Sequence, residues 1–213
     1  MFATDRDLVI LEPNLFRDVG WVGQRLCKGT ATISGTTLTM SGVDVALDAA
    51  GIGAGHVVCV GGTSYEVIAR LSASTLTISR PRGSVTDPIL PPSAATAVEA
   101  FVTTFVPQIA IVERQILRMA GIEPEDTAPD ALAASAIVNP GSLTMLTALG
   151  ALHLVYAAAG ASAGGAADWM SERAAMYRER FGAARQSVRV LIDLNGDGVA
   201  DATRRLNVMQ LVR

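Results

Sequence analysis

Residues 28–105 are built on a period of two. Residues 29–41 and 67–79 echo one another: apolar Ala31, Ile33, Leu38 and Met40 in the first match Ala69, Leu71, Leu76 and Ile78 in the second. Polar residues fill the alternate positions, and a serine-centred turn of small residues falls in the middle of each. That pattern predicts two β-hairpins. Between them, residues 56–60 and 64–68 flank Gly61 and Gly62 and predict a further strand–turn–strand. After a linker bounded by Pro88 and Pro92, residues 98–105 alternate again. Five or six short strands in sequence point to a small antiparallel barrel, SH3-like in kind, which closes its own edges.

From residue 106 the period changes to that of a helix. Pro107 suits a first turn, and Ile109, Val112, Ile116 and Met119 recur at three- and four-residue spacing until Gly121 stops the helix. Asn139 followed by Pro140 opens a second helix, running to about residue 159. A third, over about 166–188, carries the apolar line Met170, Tyr177, Phe181, Ala184 and Val188. The short connection at 160–165 favours an antiparallel helical hairpin. Residues 1–27, with a charged start, apolar residues 8–11 and the turn formers Glu12, Pro13 and Asn14, predict an extended arm plus a short helical turn. The expected fold class is α+β. A small antiparallel β-barrel domain (28–105) joins a helical bundle (106–190), with an extended N-terminal arm (1–27) and an acidic loop and extended C-terminal tail (191–213).

Composition narrows the class. Hydrophobic residues make up 50% of the 213 and charged residues 17%, so the chain can bury a core. Aromatics are only 5%, which leaves core building to Ala, Val, Leu and Ile. A net charge of −3 argues against independent nucleic-acid binding, which leaves a basic footprint. Cys27 and Cys59 form no disulfide framework, and Asp5, Arg6 and Asp7 precede too short an apolar run for a signal peptide. Synthesis in the cytoplasm is the expectation. Residues 141–167 lack Asp, Glu, Lys and Arg, but their Gly, Ala, Ser and Thr content and His153 predict a buried helix rather than a membrane span.

Few residues suggest chemistry. Gly51, Gly53 and Gly55 have the wrong spacing for a dinucleotide loop and lead into a strand. His56 and Cys59 fall on opposite strand faces, which disfavours a zinc site with Cys27 and His153. Glu123, Glu125 and Asp126 lie in a proline-containing loop and read as a solvated connection. No nucleophile motif is present, and the expectation is a protein that is not an enzyme.

Two features stand above this background. Asp193, Asn195, Asp197 and Asp201 place oxygen side chains at positions 1, 3, 5 and 9 of a loop, with the Val199 carbonyl at 7 and Gly198 at 6. That is a wrapping suited to Ca²⁺, and it resembles the DxNxDGxxD loops of calcium-binding repeats. Arg204 at position 12 replaces the bidentate Glu of an EF-hand. The same residues also form an Asx/Gly turn, and the two readings stay open. No cofactor is required by either. The second feature is an arginine stripe: at about 100° per residue, Arg178, Arg185 and Arg189 share one flank of the third helix. They read either as a solvated flank or as contacts to acidic groups on a neighbouring subunit. Beyond them, Leu206, Val208, Met209, Leu211 and Val212 are too apolar for a free end. With Arg204, Arg205 and Arg213 they predict a strand that adds to a partner's sheet, the alternative being a tail that packs back on its own domain.

Taken whole, the chain resembles the head–tail connector (adaptor) proteins of tailed phages and prophages. The residues that carry the resemblance are 11–16 in the arm, 54–58 and 65–72 in the barrel, and 195–201 with 205–208 near the end. The barrel is an elaboration that simpler, all-helical adaptors lack. The resemblance implies a structural virion protein in the neck. It would form a homo-oligomeric ring below the portal, with the portal protein and a tail-side neck protein as partners. DNA would pass through its channel without sequence-specific binding, and no membrane would be involved. The rival expectation from another class is a calcium-stabilised adhesion or assembly module. An enzyme of unknown type is a third.

Overall fold

Six strands carry the alternating pattern: β1 (Gln24–Ser34), β2 (Thr37–Ser41), β3 (Val57–Val60), β4 (Thr63–Arg70), β5 (Thr75–Ser79) and β6 (Ala95–Thr104). In the computed structural model, which describes residues 1–128, 131–163 and 168–206, they close into an antiparallel barrel in the order β1-β2-β5-β4-β3-β6. Gly61 and Gly62, at φ 56° and 81°, make the tight turn that pairs Val60 with Thr63. Two left-handed residues are what a two-residue hairpin loop needs. Inward-facing Ala31, Ile33, Leu38, Met40, Val58, Val60, Val67, Leu76, Ile78, Ala100 and Val102 fill one cluster, to which Leu47 and Ile52 from the β2–β3 connection are added. One expected core residue is misplaced. A register shift between Val67 and Ala69 breaks the alternation of β4, so Ala69 is half-buried and Leu71 stands in the turn, 61% exposed.

The N-terminal segment, expected as an extended arm plus a short helical turn, is mostly helical, so the extended part of that expectation does not hold. Residues 5–11 form helix α1 (Asp5–Leu11), and a second short helix, α2 (Leu15–Asp18), and a 3₁₀ turn (Gly20–Val22) follow. Asp7 accepts hydrogen bonds from the Thr4 backbone N–H (2.8 Å) and hydroxyl (3.0 Å) at the helix start. Leu8, Val9, Leu15 and Phe16 are buried, and both helices lie against β3 and β4. They give β3 a second covered face. All four of its residues, Val57 to Val60, are buried, though only Val58 and Val60 belong to the barrel interior.

By its contacts the chain divides into two units, Thr4–Val106 and a second made of Met1–Ala3 with Pro107–Arg213. Helices α3 (Val106–Met119), α4 (Thr144–Ser162) and α5 (Asp168–Ser187) dominate the second. Ile109, Val112 and Ile116 are buried as their spacing requires, and Gly121 (φ 70°) follows the end of α3. The Asn139–Pro140 pair opens a 3₁₀ turn, Pro140–Leu143, before α4 begins. The stretch Pro140–Ser162 is long and apolar enough to cross a membrane, and of its most apolar 18 residues (mean hydropathy 1.5) 61% are buried inside the protein. α4 and α5 run antiparallel. His153 meets the Ala174 carbonyl, Tyr156 stacks on Tyr177 at 5.9 Å, and Gly150 faces Phe181. Gly150 is the point of closest approach: a Cβ there would lie 2.6 Å from Val112 Cγ1 and 3.1 Å from the Phe181 ring.

After α5 the chain forms a small hairpin, β7 (Arg189–Ile192) with β8 (Ala202–Arg205), around the acidic loop. Asn139 fastens it, its Nδ2 donating to the Arg189 carbonyl (2.9 Å) and its Oδ1 accepting from the Leu191 N–H (2.8 Å). Val190, Ile192 and Leu206 join Val112, Ile116, Leu143 and Leu146 in one apolar cluster.

Candidate functional site

The acidic loop is held by its own backbone. Asp193 Oδ1 accepts from the Gly196 N–H (2.7 Å) and the Asn195 N–H (3.1 Å), and Oδ2 accepts from the Gly198 N–H (2.7 Å). Asn195 Oδ1 accepts from Asp197, Asp197 Oδ1 from Val199, and Asp201 Oδ2 from Leu194. Gly196 and Gly198 take φ 82° and 84°, the left-handed turns that let these amides point inward. The amides, that of Gly198 foremost, hold the Asp193 carboxyl below the usual carboxylate range. Among the described residues no three His, Cys, Asp or Glu side chains converge as a metal site.

The arginine stripe is divided by the end of α5. Arg178 and Arg185 lie on the helix, but Arg189 begins β7 and no longer follows the helical period. Arg178 and Arg189 are exposed; Arg185 is half-buried, its Nη1 3.6 Å from Met119 Sδ and its Nε without a hydrogen-bond partner among the described residues. Arg204 caps the end of α3, donating to the Ala120 carbonyl and, at 3.1 Å, to that of Gly121. Arg205 is exposed, whereas Leu206 is 3% exposed in the unit's own apolar cluster, which is the packing-back alternative for that residue. Val208, Met209, Leu211, Val212 and Arg213 lie outside the described residues.

The other sequence candidates are satisfied locally. His56 Nδ1 contacts the Gly53 carbonyl (3.0 Å). Cys27 and Cys59 are free and buried, and burial pushes the Cys27 thiol up to about 11. Glu123 and Glu125 both bind Arg118, at 2.8 and 2.6 Å.

Two further constellations escaped sequence reasoning. In the barrel unit Glu66 is fully buried, one oxygen held by Arg6 Nε (2.6 Å) and the other by Arg82 Nε. Arg6 also donates to the Arg82 carbonyl (2.6 Å), and Arg82 to those of Asp87 (2.6 Å) and Val85 (3.2 Å). This buried triad ties α1 to β4 and to the loop after β5. Beside it Asp5, 1% exposed, accepts from the Phe105 N–H (2.8 Å) through one oxygen, and its other oxygen has no hydrogen-bond partner among the described residues. Burial raises the Asp5 pKa, against the lowering effect of Thr104, Phe105 and His56.

The second constellation is aromatic. The chain has two tryptophans, and both are at the surface: Trp21 is 57% exposed on the barrel unit and Trp169 41% exposed on the helical unit. Trp21 Nε1 donates to the Asp18 carbonyl (3.3 Å) and the ring edges a groove of about 430 Å³ with Phe16, Phe101, Arg17, Arg25 and Lys28. Trp169 stands edge-on to Tyr156 at 6.1 Å, with the Arg173 guanidinium 5.9 Å from its ring.

Fold and surface together define an α+β protein: a closed six-strand antiparallel barrel and a separate helical unit, each presenting a held tryptophan. No family model, curated protein or solved structure matches the chain.

Proposed function

We propose that this is a structural virion protein, a head–tail connector that assembles as a ring below the portal, and that its barrel is SH3-like and its helical unit a small bundle. The observation that carries the assembly reading is the placement of the two tryptophans. A chain poor in aromatics ordinarily buries its largest side chains. Tryptophan held rigid at a surface is instead the residue most enriched among interface anchors. The connector reading adds what the sequence resemblance implies: the portal and a tail-side neck protein as partners, and DNA passing without sequence recognition. The net charge of −3 suits a channel that lets DNA slide. No cofactor is needed, and the 193–201 loop works as a hydrogen-bonded turn to which Ca²⁺ is an optional addition.

Residues 207–213 are assigned to docking on the portal. Leu206 already belongs to the helical unit's core, so truncation after Leu206 isolates the docking segment. The expected outcome is an unchanged melting temperature for the purified protein and loss of incorporation into particles. Normal incorporation of the truncated chain would overturn the docking assignment.

A further inference from the structure

A ring closes only when one surface of each protomer meets a different surface of the next. The barrel unit carries two unlike apolar surfaces, a loop and a groove. The loop joins β5 to β6, and its Val85, Ile89 and Leu90 are all exposed. It is nevertheless tied down. Buried Arg82 donates to the Val85 and Asp87 carbonyls, and Asp87 Oδ2 accepts from the Ser84 N–H (2.8 Å). Leu90 donates its N–H to Ser79 Oγ (2.9 Å), and its carbonyl accepts from the Arg80 N–H (2.9 Å). Pro88, Pro91 and Pro92 bias the residue before each of them towards extended backbone. Resting on the assembly reading above, we propose that residues 85–91 of one copy seat in the Trp21 groove of the next.

The groove's own charges select the occupant. Arg17 is paired with Asp18 (2.7 Å), Arg25 with Asp44 (3.6 Å) and Lys28 with Glu99 (2.7 Å). Each of these cations is answered within its own chain, so the groove calls for a neutral partner rather than an acidic one. What it offers is aromatic surface, from Phe16, Trp21 and Phe101. Gly20 keeps that surface open, since a Cβ there would stand 3.7 Å from the Phe101 ring. Residues 88–92, Pro-Ile-Leu-Pro-Pro, carry no charge. Proline-rich extended segments dock on aromatic-lined grooves because their backbone is already set and little freedom is lost. The chain's other apolar candidates bring charge with them. The Arg173 guanidinium lies 5.9 Å from the Trp169 ring, and residues 207–213 include Arg213. None of residues 85–91 lines the groove of its own chain, so the occupant is a second copy.

The test uses full-length chains with one surface disabled at a time. Trp21→Ala disables the groove, and Ile89→Ser with Leu90→Ser disables the loop. In sedimentation velocity the parent should associate as its concentration rises. Each variant alone should associate roughly thirtyfold more weakly, the loss expected of a truncated anchor. Mixed one to one, the two variants should form a two-chain species and go no further, because one intact loop and one intact groove remain between them. The replaced side chains are exposed, so melting temperatures should not move, and the two-chain species would itself show that both variants fold. A parent that stays monomeric at about 1 mM, variants that associate as the parent does, or a mixture that stays monomeric would overturn the contact. A neck ring that still forms from the Trp21→Ala chain refutes the contact and leaves the connector standing. The two-chain species from a protein found elsewhere in the particle supports the contact and refutes the connector.

Discussion

The barrel unit and the helical unit bury different things. The barrel interior is apolar and regular, yet α1 and β4 are joined by ionised groups taken out of water: Glu66 between Arg6 and Arg82, with Asp5 alongside. The helical unit is cemented by apolar contact at close range, where Gly150 lets α3, α4 and α5 converge. Its arginines stay mostly outside. A buried ion cluster adds little net stability but makes its geometry hard to exchange, which suits a rigid module. A close-packed hairpin with exposed arginines and a held tryptophan leaves its surface for other chains.

Breaking the barrel's ion cluster should have the largest effect. Glu66→Ala strands two guanidinium groups that are each 7% exposed and should cost about 3–5 kcal/mol. Denaturant unfolding would measure it, and hydrogen exchange should rise in α1 and β4. Replacing all three members at once (Arg6→Met, Glu66→Leu, Arg82→Met) should recover most of that loss, because the desolvation penalty goes with them. Gly150→Val tests the other unit. Steric overpacking should cost about 1–3 kcal/mol and raise exchange in α3, α4 and α5, with barrel amides unaffected.

Asp5→Asn should act in the opposite direction. The folded pKa of Asp5 is raised by burial, so its contribution to stability is full below the unfolded value and lost as pH rises through the folded one. The Asn oxygen keeps the Phe105 hydrogen bond and carries no charge, so the variant should melt higher than the parent at pH 7. The advantage should shrink towards pH 4. No gain at pH 7 would mean that the charge is not the cost. The acidic loop should give the smallest effect. The folded pKa of Asp193 is lowered, so its contribution is present above the ordinary carboxylate value and fades as pH falls through the folded one. Since backbone amides already hold the loop, millimolar Ca²⁺ should leave the melting temperature unchanged. A one-site binding heat that Asp197→Ala abolishes would assign the loop to the metal.

Elements held by local period were legible. Leu38, Met40, Leu76 and Ile78 face inward because alternation on a regular strand leaves no other choice. Leu71 was misread because a bulge, which has no composition signal of its own, reversed the phase. The cover on β3 was written in the unbroken run Val57-Val58-Cys59-Val60, since two-sided burial removes alternation. Its source, residues 5–18, lies too far back in the chain for a local pattern to link them. β8 was taken for part of an extended tail because its partner β7 sits across a nine-residue loop, although the Asp and Gly of that loop are hairpin residues. Arg178 and Arg185 were placed on the helix and Arg189 was carried one turn too far. The tryptophan patches were invisible in the sequence, where an exposed and a buried Trp read alike.

The most direct measurement is electron microscopy of virions or portal co-assemblies at a resolution that traces the barrel and the α4–α5 hairpin. The connector account expects one closed ring of this chain in the neck, directly below the portal. Finding the chain in the capsid shell or at the tail tip would contradict it.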